Sequence, residues 1–275
     1  MSAASREAFA RAARADPVDL ARACLLVGAE VEQDLDPATG LRALDDLAAA
    51  ARADVPLGGS PTEVAEGLRR ALGGRAGFAG SGDDYADVRG SLLHEVLRRH
   101  SGLPLTLSVV WVEVCRRLGV PAHAVALPGH VVVAVGGDRP VHVDPFAGGT
   151  LLAPADLSAL VRRATGRPLR PEHLDPADPV DVLLRLLTNV RALAARSDAL
   201  LGTARTRLWA VELSLLLPRS PLVLRRERGE LLVRLGDHRG GAAEIEAWAE
   251  VVEAVDPQAA EQARRSARLA RSRLN

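Results

Sequence analysis

The residues best suited to chemistry lie between Gly102 and Gly149. His130 opens the apolar run Val131-Val132-Val133-Ala134-Val135, and Asp144 closes the run Val141-His142-Val143. A histidine that moves a proton and a carboxylate that orients its ring are the acid–base half of a hydrolase or acyl-transfer site. The same two residues can serve as a buried polar pair that fixes two strands, and the residues alone leave both readings open. Gly136-Gly137-Asp138-Arg139-Pro140 separates the runs as a turn, so they are expected to pair as an antiparallel hairpin. A three-residue turn would set positions 130 and 144 directly opposite, within easy contact. His142 shares the parity of Asp144, but without thiolates or an HExxH spacing no metal is expected on His130, His142 and Asp144.

Other groups offer less. Every basic residue is arginine, so no lysine is available as a Schiff-base nucleophile, general base or acyl acceptor. Cys24 and Cys115 sit inside apolar helical patterns, without a CxxC pair or a disulfide framework, as in a reducing compartment. Asp83, Asp84 and Asp87 surround Tyr85, but an EF-hand's glycine and terminal glutamate are absent, and a solvated loop is expected. The glycine pairs at 73–74, 136–137 and 148–149 read as turns, because no Lys-Ser or Lys-Thr follows to complete a phosphate cradle.

The elements that must position these residues follow from periodicity. Apolar positions recur at helical spacing from Val18 to about Ala53, with a start signal at Asp16-Pro17 and a break at Asp36-Pro37; Leu41, Leu44 and Leu47 form an inward stripe. A third helix runs from Pro61 to Gly73-Gly74, and a short one follows Ser91. Leu105–Leu118 is the most apolar helix, opened by Pro104, a residue suited to the first helical turn. The β-branched segments then give a hairpin, with a further strand at His123–Leu127. Four prolines between Arg167 and Pro179 mark a boundary. Beyond it five helices are expected, at Val182–Ala195, Leu201–Leu216, Leu222–Leu235, Ala242–Val255 and Pro257–Leu274, with breaks and small residues that suggest tetratricopeptide-like hairpins. Trp209 and Trp248 fall at core positions of that tail.

With 48% hydrophobic residues over 275, the chain can bury a substantial core. Thirty-five basic and 35 acidic residues give a net charge of zero, so no bulk field favours nucleic acid or an anionic membrane. The longest apolar run is too short to span a bilayer and no signal-peptide core precedes it. A cytoplasmic protein without cofactor, membrane or nucleic-acid partner is expected.

Together, Gly102-Leu103-Pro104 with Leu107-Ser108, Arg117-Leu118-Gly119-Val120-Pro121, Leu127-Pro128-Gly129-His130 and Asp144-Pro145-Phe146-Ala147-Gly148-Gly149 resemble the SirB-type branch of the transglutaminase-like superfamily. The likeness reaches upstream to Asp84-Tyr85-Ala86-Asp87 and Ser91-Leu92, and downstream to Leu183–Asn189 and Arg228–Leu232. The chain departs from that pattern at Val88 and Gly90, where a proline and an asparagine are usual, at His94, where another asparagine is usual, and at Val131, where an aromatic residue is common. The resemblance implies a papain/transglutaminase-like core followed by tetratricopeptide-like helices. It also implies that a nucleophilic cysteine should open the helix ending at Gly119, a place held here by Pro104. Thr106 lies about 200° round that helix, Ser108 about 6 Å deeper, and Cys115 about 16 Å away, so none replaces it without rearrangement.

The expected architecture is α+β: residues 1–166 as the transglutaminase-like domain (helical lead-in 1–76, core 77–166), a proline-rich linker at 167–179, and an all-α domain at 180–275. The expected function is a non-catalytic binding or scaffolding module, with Pro104 as a degenerate nucleophile position and an unidentified protein or peptide partner held by the cleft or the helical tail. The alternative is a hydrolase or acyl transferase in which His130 acts as general base, oriented by Asp144.

Overall fold

The structure is a computed structural model that describes residues 3–196 and 200–272. The chain divides into two compact units between Leu186 and Leu187.

The first unit opens with helices α1 (Ala3–Arg14), α2 (Leu20–Gly28) and α3 (Pro37–Ala51). Asp19 caps α2 by accepting from the Arg22 N–H, so the helix starts three residues after the expected Asp16-Pro17 signal. Asp36 caps α3, with Pro37 in the first turn. Helix α4 (Pro61–Leu68) has a complete capping box, Ser60 and Glu63 each satisfying the other's backbone N–H. It continues as a wider π turn, Arg69–Arg75. Helices α5 (Leu93–Arg99) and α6 (Pro104–Leu118) follow, and α6 ends on Gly119 in the left-handed conformation.

The strands β1 (Ala122–Val125), β2 (Val132–Val135), β3 (Val141–Asp144) and β4 (Thr150–Leu152) form one antiparallel sheet in sequence order. Val133, Val135 and Val143 pack with Trp111, Val114, Cys115 and Leu118 of α6 and with residues of α3 and α4. Val125, Val132 and Ala134 pack with Leu157 and Val161 of helix α7 (Pro154–Thr165). Apolar cover on both faces explains why the strands read as unbroken valine runs rather than an alternation. Strand β4 has no counterpart among the expected elements because a three-residue strand leaves no period to detect.

The hairpin differs from the expected register. Val135 pairs with Val141 and Val133 with Val143, so the turn is five residues long, 136–140. Continuing that register sets Asp144 opposite Val132, two places from His130. A slip of two residues leaves each side chain on its own face, and His130 then lies just ahead of β2.

The proline-rich stretch 167–179 is laid on the first unit. Leu169 and Leu174 pack into the cluster around α7, Pro176 bridges Val125, and Ala177 donates to the Ala124 carbonyl at 2.8 Å.

Helix α8 (Pro179–Ala195) carries the chain across the division. The second unit continues with α9 (Leu200–Leu216), α10 (Val223–Arg234), α11 (His238–Val252) and α12 (Pro257–Ser272), each packed on the next. The expected end of the last helix, at Leu274, lies outside the described residues. Helices α10 and α11 approach through glycines: a Cβ on Gly241 would stand 2.6 Å from the Gly229 carbonyl oxygen. Ala260, Ala263, Ala267 and Ala270 bury one stripe of α12 against Ile245, Trp248 and Ala249. Trp209 and Trp248 are buried as expected, with Arg226 over the Trp248 ring. Among the described residues no helix is long and apolar enough to cross a membrane.

Candidate functional site

His130 and Asp144 meet. The His130 Nε2 lies 3.0 Å from an Asp144 carboxylate oxygen, with 11% and 9% of the two side chains exposed. The same oxygen accepts from the Phe146 backbone N–H at 3.0 Å. The Asp144 carbonyl accepts from the N–H groups of Ala147 and Gly149, at 3.1 and 2.8 Å. Asp144 is therefore fixed by its own turn before it touches the histidine, so it can hold the ring in one orientation and leave Nδ1 unclaimed by the carboxylate.

Two aromatic rings stack outward from the pair. Phe146 stands edge-on to His130, centroids 6.1 Å apart, and Tyr85 stands edge-on to Phe146 at 5.5 Å. Burial, and then the negative charge of Asp144, push the Tyr85 phenol above its ordinary pKa. Arg185 reaches the loop from α8, its guanidinium donating to the carbonyls of Leu127 at 3.3 Å and of His130 at 3.3 Å. Its burial pulls the guanidinium below the usual arginine value. Phe146, Tyr85 and Arg185 carried no assigned role in the sequence reading. Their segments were visible, but contacts between segments this far apart in the chain, 58 places for Arg185 and Leu127, leave no local period.

Asp84 corrects the expectation of a solvated loop. It is 1% exposed, and one carboxylate oxygen accepts from the Ser81 N–H at 2.8 Å, the Ser81 hydroxyl at 3.1 Å and the Ser101 hydroxyl at 2.7 Å. The Leu103 N–H donates to the Gly90 carbonyl at 2.9 Å. These bonds tie the tyrosine-bearing segment to the residues just ahead of α6.

Pro104 occupies the first position of α6 and is buried. Thr106 and Ser108 are wholly buried, and the Ser108 hydroxyl donates to the Pro104 carbonyl at 2.8 Å, the local bond that helix serines favour. Cys24 and Cys115 are also fully buried. Burial pushes the Cys115 thiol up to about 12 and the Cys24 thiol higher still. His142 sits between Ala134 and Leu152, and burial, then the neighbouring His123, lowers its pKa.

The transglutaminase-like superfamily model matches residues 38–188, more than half of the chain. A UPF0162 protein of Xylella fastidiosa is 35% identical over 181 residues, 64% of this chain and 63% of that protein, so the match spans less than two thirds of that relative's length. A UPF0162 protein of Pseudomonas aeruginosa is 33% identical over 201 residues, covering 72% of this chain and 73% of the relative. A third, from Vibrio cholerae, is 26% identical over 126 residues. No solved structure matches. The span of the family model and the extent of the Pseudomonas match place the chain in the transglutaminase-like superfamily, among the UPF0162 proteins.

Proposed function

We propose that this protein is a non-catalytic binding or scaffolding module of the SirB-type branch, in which Pro104 stands where a cysteine would act and tetratricopeptide-like helices extend the binding surface. The observation that carries this reading is the chemistry at the start of α6. Proline supplies no nucleophile, and the hydroxyl closest to its face of the helix, Ser108, is buried and spent on the Pro104 carbonyl, while Thr106 lies about 200° round. Both thiols are sealed in apolar packing that disfavours the thiolate. In this reading His130 and Asp144 are retained as a buried polar pair that fixes the loop before β2 against the end of β3. A cavity of about 460 Å³ lined by Pro128, Thr165, Arg167, Pro168, Arg170 and His173 adjoins that loop and offers a protein or peptide partner a cationic recess.

One observation favours a second reading. The His130–Asp144 bond is intact at 3.0 Å, the geometry a general base needs, so a hydrolase working through an activated water is the alternative.

Native labelling with iodoacetamide separates a hidden thiol enzyme from the proposed module. Both cysteines are expected to react slowly in buffer and fully only after unfolding, as read by mass spectrometry of tryptic peptides. Rapid native labelling at Cys115 with loss of a hydrolytic activity would contradict the proposal.

A further inference from the structure

Away from that site, the contact between α2 and α5 gathers three metal-ligating side chains. His94 opens the first turn of α5 beside Glu95, and Glu32 stands on the turn that ends α2. The His94 Nε2 points between the two carboxylates, 3.7 Å from a Glu32 oxygen and 3.9 Å from a Glu95 oxygen. One ligand atom from each residue can be chosen with all three within 4.8 Å of one another. None of these separations is a hydrogen bond.

The groups are built in. The His94 side chain is 7% exposed and that of Glu95 9%. The imidazole lies on Gly28, where a Cβ would stand 2.2 Å from Nδ1. The Gly28 carbonyl also accepts from the Val31 and Glu32 N–H groups at 3.0 Å each, so one residue both seats the ring and shapes the turn that carries Glu32. The Glu95 oxygen that faces the His94 Nε2 is also held by Arg98, so its second lone pair is the one open to an ion; the other Glu95 oxygen and the His94 Nδ1 are buried without a partner among the described residues. A histidine and a glutamate this deeply buried normally find partners, because an unsatisfied polar group costs about 1–3 kcal/mol.

We infer that Glu32, His94 and Glu95 form a binding site for a divalent first-row transition-metal ion, zinc foremost. One imidazole and two carboxylates form a donor set suited to such ions, and three protein ligands leave a fourth position for water. Ligand atoms around a tetrahedral zinc ion lie about 3.4 Å apart, so the two nitrogen–oxygen separations need to close by a few tenths of an ångström and the two carboxylate oxygens, within 4.8 Å of each other, by up to about 1.4 Å, which the half-exposed Glu32 side chain can supply.

The test uses the full chain, stripped with a chelator and titrated calorimetrically with zinc chloride. One equivalent is expected to bind, with His94→Asn and Glu32→Gln each weakening the affinity at least about tenfold. The Glu32 side chain is half exposed, so Glu32→Gln keeps the fold even where a change at buried His94 does not; far-UV circular dichroism checks both. Cobalt(II) at the same site is expected to give visible ligand-field bands without the sulfur charge-transfer band a cysteine ligand would add, and Glu32→Gln is expected to remove those bands. Absence of stoichiometric zinc binding, or binding unchanged in both folded variants, would overturn the site.

Discussion

Replacing Pro104 by cysteine is expected to create a thiol that iodoacetamide modifies roughly tenfold faster than the same thiol in a Pro104→Cys, His130→Ala double variant. The backbone tolerates the exchange. Position 104 is the first of α6, where proline is favoured but not required, so the exchange breaks no helical hydrogen bond; the added N–H at this buried position costs at most about 1–3 kcal/mol. Losing proline frees the unfolded chain by about 0.4–1 kcal/mol, which the apolar packing of α6 can absorb. What the variant measures is whether His130, held by Asp144 through Nε2, presents its remaining nitrogen to the start of the helix. A thiol beside such a base shifts toward thiolate; a thiol remote from it does not. Peptide mapping reports the rate at position 104 separately from those at Cys24 and Cys115. Equal rates in the single and double variants would remove the link between Pro104 and the pair.

Substituting alanine for Gly149 is expected to destabilise the first unit by about 4 kcal/mol, a fall of roughly 10 °C in the melting temperature. Two costs add. Gly149 has φ of +82°, where any side chain is strained by about 1–2 kcal/mol. A Cβ there would stand 2.1 Å from the Trp111 ring, which is fully buried between α6 and the sheet and has no space to retreat. The turn that suffers is the one whose N–H groups hold the Asp144 carbonyl. Thermal unfolding followed at 222 nm measures the loss. A shift of only a degree or two would show that Trp111 can move aside.

These sites differ in how far the sequence announced them. The pair at 130 and 144 was legible because β-branched runs flanked both residues and a glycine-rich turn joined them. The register was not, since Gly136–Pro140 admits turns of three or five residues and periodicity is silent about which. The helices of the second unit were legible from their breaks at 218–221 and 236–240, with the ends that fall on described residues within a few residues of those expected. Helix α7 was not, although Pro154 and Gly166 bracket it, because only Leu157 and Val161 of its residues are buried and so weak a stripe does not stand out. The burial of Asp84 was hidden for another reason. Its partners Ser81 and Ser101 come from different segments, and a cluster of aspartates around a tyrosine reads as solvated unless those hydroxyls are seen to converge. The roles of Arg185 and Phe146 at the pair are likewise matters of tertiary contact alone.

In the proposed module the pair at His130 and Asp144 does not support turnover. This is tested most directly by hydrolysis of p-nitrophenyl acetate, followed at 400 nm with the wild-type chain and His130→Ala side by side. The account predicts the same slow rate for both, no initial burst of p-nitrophenolate, and no acetyl adduct on Thr106, Ser108 or either cysteine by mass spectrometry. A rate that falls about a hundredfold in His130→Ala, the magnitude a general base contributes, would contradict it and make the protein a hydrolase.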